Sequence, residues 1–440
     1  MIRDAHLHPL PFVTALFVLT AGLPACEAPR AAAPTLPECD PDDGSLVLPE
    51  GFCALVVADS VGPARHIEVA PNGDVLVALE NRGRRDEGLR RGGVVVLRDS
   101  DGDGRAEERH RFGDNGGNEV LLDGETLFFA TDDAVLRYPF PSGATSPPGP
   151  PDTVVMDLPD TRNHRAKSLA MAPGDFIYVN IGSPSNACQE EPRAVGSPGM
   201  DPCPQLETRA GIWRFDGQRT GQTQEDGERF ATGLRNTVAL RNHPSGDLFG
   251  VVHGRDQLSA LWSEHFTQEE SAELPSEQFV KIEEGDDFGW PYCYHDPFFD
   301  TKVLAPEYGG DGETVGRCAD KEDALIGFPA HWAPNDLEFY TGEHFPERYR
   351  GGAFVAFHGS WNRAPMPQAG YNVAFAPFRD EMPTGEWEVF AEGFPGEDVS
   401  PRGADYRPVG LAMGPDGSLY ISDSQVGRVW RVVYRGSEGG

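Results

Sequence analysis

One unit recurs along this 440-residue chain: a polar residue, a spacer, alternating apolar residues, a turn built from Pro, Asp or Gly, and a second apolar strand. Its copies are RHIEVAPNGDVLVAL from Arg65, NEVLLDGETLFFAT from Asn118, KSLAMAPGDFIYVNI from Lys167, NTVALRNHPSGDLFGVV from Asn236, NDLEFYTG from Asn335 and RPVGLAMGPDGSLYISDS from Arg407. Alternation of period two around a turn that tolerates positive φ makes the unit a β-hairpin rather than a helix. Hairpin-led sheets repeated six times predict an all-β, six-bladed β-propeller, because radial repetition leaves only short, protected sheet edges. A pair of β-sandwiches is the competing architecture, disfavoured by the recurrence of a single motif throughout. The early strand LVLPEGFCALVVAD, 46–59, has no hairpin of its own. It is expected to lie beside VGRVWRVVY, 426–434, so that N- and C-terminal strands close the last blade together.

The 52 Gly and 39 Pro are well above the ordinary share and are the punctuation of those hairpins. Asp and Glu number 70 against 37 Lys and Arg, a net charge of −33. So acidic a surface repels phosphate backbones and anionic headgroups, which excludes nucleic acid as a partner.

The apolar run Phe12 to Leu23 is too short to span a bilayer and reads as a signal-peptide core. Leu23-Pro24-Ala25-Cys26 resembles a bacterial lipobox, with an ordinary cleaved signal as the alternative. The expected organisation is a signal peptide at 1–25, a lipid-anchored tether at 26–45 and the propeller at 46–440. The expected location is the periplasm or the cell surface, with membrane contact only through an anchor on Cys26. Lipidation there takes up the seventh cysteine. The other six permit 15 pairings, of which nearest neighbours would close the loops 39–53, 188–203 and 293–318. No Cys-x-x-Cys occurs, which argues against a zinc knuckle, a thioredoxin-type site or an attached haem.

In a propeller the innermost strands line a central funnel, so the repeat heads Arg65, Asn118, Lys167, Asn236, Asn335 and Arg407 are expected to ring one mouth of it. Arg, Lys and Asn gathered on one axis of an acidic protein make a local anion site, since guanidinium forks recognise carboxylates. The longest gap between heads, Asn236 to Asn335, contains Cys293 and Cys318 and is the candidate for a loop that shapes a substrate site.

LPEGFCALVVADSVGPARHIEVAPNGDVLVAL, NHRAKSLAM, FATGLRNTVAL, EEGDDFGWPYC, FHGSWNR and RPVGLAMGPDGSLYISDS follow one another in this chain. With these segments the chain from Leu48 to Tyr434 resembles the soluble pyrroloquinoline quinone (PQQ)-dependent sugar dehydrogenases, especially their sorbosone dehydrogenase-like branch. The resemblance implies a PQQ lying across the funnel and hydride transfer to it from a sugar or sugar-derived alcohol or aldehyde. It makes His164 the general base and Arg235 and Asn236 cofactor contacts, with Arg407 and Arg65 as carboxylate or substrate contacts. Where glucose-oxidising members carry Lys-Arg on a late blade, this chain has His358-Gly359-Ser360-Trp361-Asn362-Arg363. His358 or Arg363 would take that place, and Trp361 would stack on a ring or pack internally. Calcium is the implied metal, held near Gly254-Arg255-Asp256 largely by backbone carbonyls, with Gly254 and Asp256 as ligands. Electrons would leave for an external acceptor, a quinone or a cytochrome.

Asp99, Asp101 and Asp103 alternate with Ser100, Gly102 and Gly104 as in a calcium loop, but His110 stands where an EF-hand has its bidentate Glu. An exposed turn is the equal alternative. Glu283, Glu284, Asp286 and Asp287 read as a solvated loop, with a calcium site as the lesser alternative. A calcium-dependent sugar lactonase-type hydrolase and a non-catalytic binding propeller are the rival functions, because fold alone does not fix function.

Overall fold

The computed structural model describes Met1 and residues 36–81, 92–161 and 163–436. The apolar N-terminal segment and Cys26 lie outside the described residues. Six four-stranded antiparallel sheets carry the fold, the six-bladed propeller expected from the repeat. Five of the sequence copies each supply the first two strands of one sheet, and NDLEFYTG supplies only the first strand of its own, the second following at Ala353–Phe357. In chain order these are Ala64–Val69 with Val75–Leu79, Gly117–Asp123 with Thr126–Thr131, and Leu169–Ala172 with Phe176–Ile181. Then come Ala239–Asn242 with Leu248–Val252, Pro334–Phe339 with Ala353–Phe357, and Pro408–Met413 with Leu419–Asp423, completing blades one to six. The first strands of successive blades touch in a closed ring, blade six returning to blade one, and so form the wall of the central channel. Phe52–Ala58 pairs antiparallel with Val429–Tyr434, Phe52 opposite Tyr434. The two ends of the propeller thus close blade six as the unpaired early strand required.

The turns explain why these segments are hairpins. Gly73, in Pro-Asn-Gly-Asp, has φ +91°, and Gly417, in Pro-Asp-Gly, has φ +82°, a region that residues with a Cβ avoid. Second strands such as Val75–Leu79, Leu248–Val252 and Ala353–Phe357 are buried along their whole length and read as continuous apolar runs because they are covered on both faces. One apolar cluster fills the space between each pair of neighbouring blades. Phe52, Tyr349, Phe354, Phe390 and Trp430 occupy the seam between blades five and six. Full burial of one such side chain stabilises by about 1.5–3 kcal/mol, so contact between blades is the main cohesive force.

The compact unit begins at Leu36, earlier than the boundary at 46. The last part of the expected tether is fixed to blades six and one. Cys39 is bridged to Cys53, Asp40 N–H donates to Ala54 O at 2.9 Å, and the Asp40 carboxylate pairs with Arg105 at 2.7 Å. The remaining disulfides, Cys188–Cys203 and Cys293–Cys318, complete the nearest-neighbour pattern. Among the described residues no helix is long and apolar enough to cross a membrane.

The channel wall carries charge. His66 Nδ1 lies 2.7 Å from Glu119 and Nε2 lies 2.6 Å from Asn335 O. Further along the same strands Arg241 pairs with Glu338 and lies 3.6 Å from Glu68. Burial, against the attraction of Arg241, pushes Glu68 up to about 8 and Glu338 up to about 7.

Candidate active site

The second strand of blade three ends at Ile181, and the residues that follow meet the segment leading into the same blade. Gly182 is pressed between two candidate residues: a Cβ there would lie 2.6 Å from His164 Cβ and 2.8 Å from Asn236 Oδ1. Ser183 bonds in two directions. Its carbonyl accepts from His164 Nδ1 at 2.8 Å, and its N–H donates to Arg235 O at 2.8 Å. The histidine and the arginine, distant in sequence, are therefore registered through one backbone unit.

His164 and Arg235 line a cavity of about 110 Å³ together with Gly254 and Asp256. His253, Glu277, His331, Trp361 and Asn362 complete its wall. Because Nδ1–H of His164 is committed to a carbonyl, Nε2 carries the lone pair. Burial, reinforced by the Arg235 charge, takes this imidazole down to about 3, so its basic form prevails at neutral pH. Arg235 is 5% exposed. Its guanidinium donates to Asn186 O at 3.2 Å, Asn186 Oδ1 at 3.1 Å and Asp256 at 3.3 Å. Burial favours the acid form of Asp256, but Arg235, His331 and Arg193 outweigh it and hold the carboxyl at about 2. Glu277 is 2% exposed and accepts from Gly254 N–H at 2.6 Å and Ala333 N–H at 3.0 Å. Burial lifts it to about 7 against those two donors.

The other sequence candidates divide. Asn236 is buried beside Gly182. Arg65 donates to Asn118 Oδ1 at 2.9 Å, and its charge reaches His253. Arg407 donates to His358 O at 2.8 Å and Gly359 O at 2.9 Å, while His358 Nε2 lies 2.7 Å from Ser424 Oγ. These three belong to the junctions of blades five, six, one and two at the mouth and do not line the His164 cavity.

Arg363 is a structural tie: its guanidinium donates to Ala272 O at 2.8 Å and Ala330 O at 2.9 Å and pairs with Glu273 at 2.5 Å. The Lys167 ammonium is likewise committed, to Pro159 O at 3.1 Å and Arg165 O at 2.6 Å. The long 236–335 excursion does shape the His164 cavity, supplying His253, Gly254, Asp256, Glu277 and His331; its part closed by Cys293–Cys318 does not, and Cys293 and Tyr294 border a second cavity of about 20 Å³ that shares Arg235, His253 and Gly254. Metal candidates also separate. Asp99, Asp101 and Asp103 sit in the turn between Gly93–Arg98 and Glu108–Phe112 of blade one, where their carboxylates converge with Glu107 within 4.8 Å. They share nothing with the Gly254 loop.

His253, Glu277, His331 and Asn186 were not legible as site residues from local motifs. One geometric signal could have found His253. In an antiparallel hairpin the start of the first strand and the end of the second share an edge. Residues just after each second strand therefore form a second ring beside the repeat heads: Glu80, Asp132, Gly182-Ser183, His253-Gly254, His358-Gly359 and Ser424.

The arrangement suits a polar, anionic ligand and a cation. Asn236 Oδ1, His253 Nε2 and Asn362 Oδ1 are buried without a partner among the described residues, and such orphans mark where a ligand would bond. Asp256 is a poor free ligand, since its carboxylate is held by Arg193 at 3.0 Å, Arg235 and Asn362 at 3.1 Å. The carbonyls of Gly254 and Arg255 accept no hydrogen bond from the described residues, leaving hard oxygen ligands of the kind calcium takes.

Fold and site together define a six-bladed propeller with an enclosed histidine–arginine centre at the mouth of its channel. Residues 46–435 match the family described as TrAA12-like, and the chain belongs to that family. An uncharacterized protein of Borreliella burgdorferi is 29% identical over 215 residues, 47% of this chain and 49% of its own. The pyrroloquinoline quinone-dependent pyranose dehydrogenase of Coprinopsis cinerea is 26% identical over 282 residues, 54% of this chain and 36% of its own. The chain thus spans about half or less of the length of these curated relatives. Among solved structures, the holo PQQ domain of the Coprinopsis cinerea pyranose dehydrogenase superposes with TM-score 0.69 at 19% identity, over 88% of this chain and 97% of that one. The calcium structure of the Trichoderma reesei family AA12 protein gives 0.69 at 19%, over 89% and 97%. The PQQ-bound aldose sugar dehydrogenase of Streptomyces coelicolor gives 0.51 at 15%, over 88% and 99%. These likenesses are of fold, and they agree with the kinship expected from the sequence segments.

Proposed function

We propose that this chain is a PQQ-dependent oxidoreductase that oxidises a sugar or sugar-derived alcohol or aldehyde, with His164 as general base. The observation that carries this reading is the Ser183 carbonyl on His164 Nδ1: it fixes the tautomer and leaves Nε2 to take a proton from a substrate hydroxyl. Arg235, held beside it by Asn186 and Asp256, would bind the anionic cofactor. An anion paired there also offsets the Arg235 charge, which adds to burial in depressing His164, and so raises its basicity where it acts. When bound, the quinone supplies the acceptor for the hydride leaving the substrate carbon. Gly254 and Arg255 carbonyls would hold calcium, and Trp361, 55% exposed on the cavity wall, offers a face to a sugar ring. Export, a lipid anchor at Cys26 and a separate electron acceptor belong to the same proposal. Pyranose and aldose oxidation by the relatives named above supports the substrate class.

Reconstitution with PQQ and calcium, followed by dye reduction over a panel of sugars, tests it. The expected result is a PQQ difference spectrum and sugar-dependent turnover that falls about 10²–10⁴-fold in His164→Ala with the spectrum retained. Absence of PQQ binding, or full turnover in the variant, overturns it. Hydrolysis of sugar lactones without quinone would favour the hydrolase instead.

A further inference from the structure

Arg235 and the Gly254–Asp256 segment come from different parts of blade four, and each would hold a different ligand. Both converge on Asn186, in the loop after the second strand of blade three, and Asn186 is 3% exposed. Its side-chain Nδ2 donates to Asp256 O at 2.9 Å, and its Oδ1 accepts from Asp256 N–H at 2.9 Å. The amide thus pairs with both backbone groups of one residue. The same Oδ1 accepts from Arg235 Nη2 at 3.1 Å. The backbone carbonyl of Asn186 accepts from Arg235 Nε at 3.2 Å and from Trp290 Nε1 at 3.0 Å.

We infer that Asn186 is a positioning residue that locks the Arg235 guanidinium and the Gly254–Asp256 segment into one unit. No other side chain among the described residues bonds both Arg235 and the Asp256 backbone. Opposite it, Glu277 takes the Gly254 N–H, and Asn236 O takes the His253 N–H at 2.9 Å. The segment is therefore held by its N–H groups while the Gly254 and Arg255 carbonyls stay uncommitted to the described residues. Asn186 itself is fixed: Cys188 N–H donates to Ser185 Oγ at 3.0 Å, and Cys188 is bridged to Cys203. Its ligand consequences rest on the quinone reading of the site; its mechanical consequence does not.

Two substitutions in the full chain separate its bonds. Asn186→Asp is close to isosteric. It keeps acceptors for Arg235 Nη2 and Asp256 N–H but replaces the donor to Asp256 O with an oxygen. Asn186→Ala removes all three side-chain bonds. Hydrogen exchange by mass spectrometry on the ligand-free protein is expected to show faster exchange over 253–257 in both variants, with melting temperature as the check on folding. With ligands, calcium affinity is expected to fall about 10–100-fold in both, as for lost partners behind metal ligands. PQQ affinity should fall strongly only in Asn186→Ala. Wild-type exchange over 253–257 in Asn186→Ala overturns the inference, as does equal loss of both affinities in Asn186→Asp. If the unmodified protein takes up no PQQ, the functional reading fails and the exchange arm alone decides the role of Asn186.

Discussion

At the scale of single residues the site depends on close approach. Gly182 leaves no room for a methyl group, since its Cβ would meet His164 Cβ and O and Asn236 Oδ1 within 3 Å. Gly182→Ala therefore pushes the base away from the arginine to which Ser183 registers it. The expected outcome is a loss of about 10²-fold in kcat/KM, the cost of about 1 Å of misplacement, with a small change in melting temperature. Steady-state kinetics beside a thermal melt check it; unchanged kinetics would mean that His164 can shift without penalty. The sequence segments NHRAKSLAM and TGLRN singled out His164, Arg235 and Asn236, and the fold brings the three together around Gly182-Ser183. Arg363 and Lys167 show what could not be read. A guanidinium or ammonium announces its chemistry in sequence, but its address depends on which carbonyls the fold brings within reach, and here these are Ala272, Ala330, Pro159 and Arg165.

At the scale of the element, alternation and turn chemistry carried nearly everything. Each hairpin is a local object, so its strands, its turn glycines and its place in the ring followed from short windows. What a local window misses is that the other edge of the same hairpin faces the same mouth, which is where His253 lies. Longer excursions such as 182–210, which holds Asn186, have no periodicity to read. Closure by the terminal strands was legible because 46–59 had no partner nearby, and it yields a test of the seam. Phe52 is 8% exposed and packs on Phe345, Tyr349 and Phe390 at 4.8–5.3 Å between ring centroids. Phe52→Ala is expected to lower unfolding stability by about 3–5 kcal/mol, read from denaturant midpoints. Because the Cys39–Cys53 bridge tethers the same strand, the loss should be larger under reducing conditions. A shift below about 1 kcal/mol would show that the ring does not depend on this seam.

At the scale of the molecule, the net charge of −33 and the charged channel act in the same direction as pH rises. Glu68, Glu277 and Glu338 sit at about 8, 7 and 7 when folded, above their ordinary 4.5. Folding favours their protonated forms, so this contribution is present below about pH 4.5 and is lost as pH rises through about 7 to 8. His164 and His253 are held at about 3 and 4, below the ordinary 6.5. They oppose folding at low pH and cease to do so above about pH 6.5. Between about 4.5 and 6.5 the three carboxyls outweigh the two imidazoles, and above that the loss from the carboxyls runs without that opposition. Melting temperature is therefore expected to be highest near about pH 4.5 to 5 and to fall by a few degrees, roughly 2–6 °C, by about pH 8.5. Surface repulsion adds to that fall but is screened by salt, whereas the enclosed channel is screened far less. Thermal melts across pH in low and high salt separate the two: a decline that vanishes in salt would assign it to the surface alone. Glu68→Gln sharpens the test. It removes the group that must ionise inside the wall, so it should lessen the decline above about pH 5 at both salt concentrations while leaving the melt near about pH 4.5 little changed.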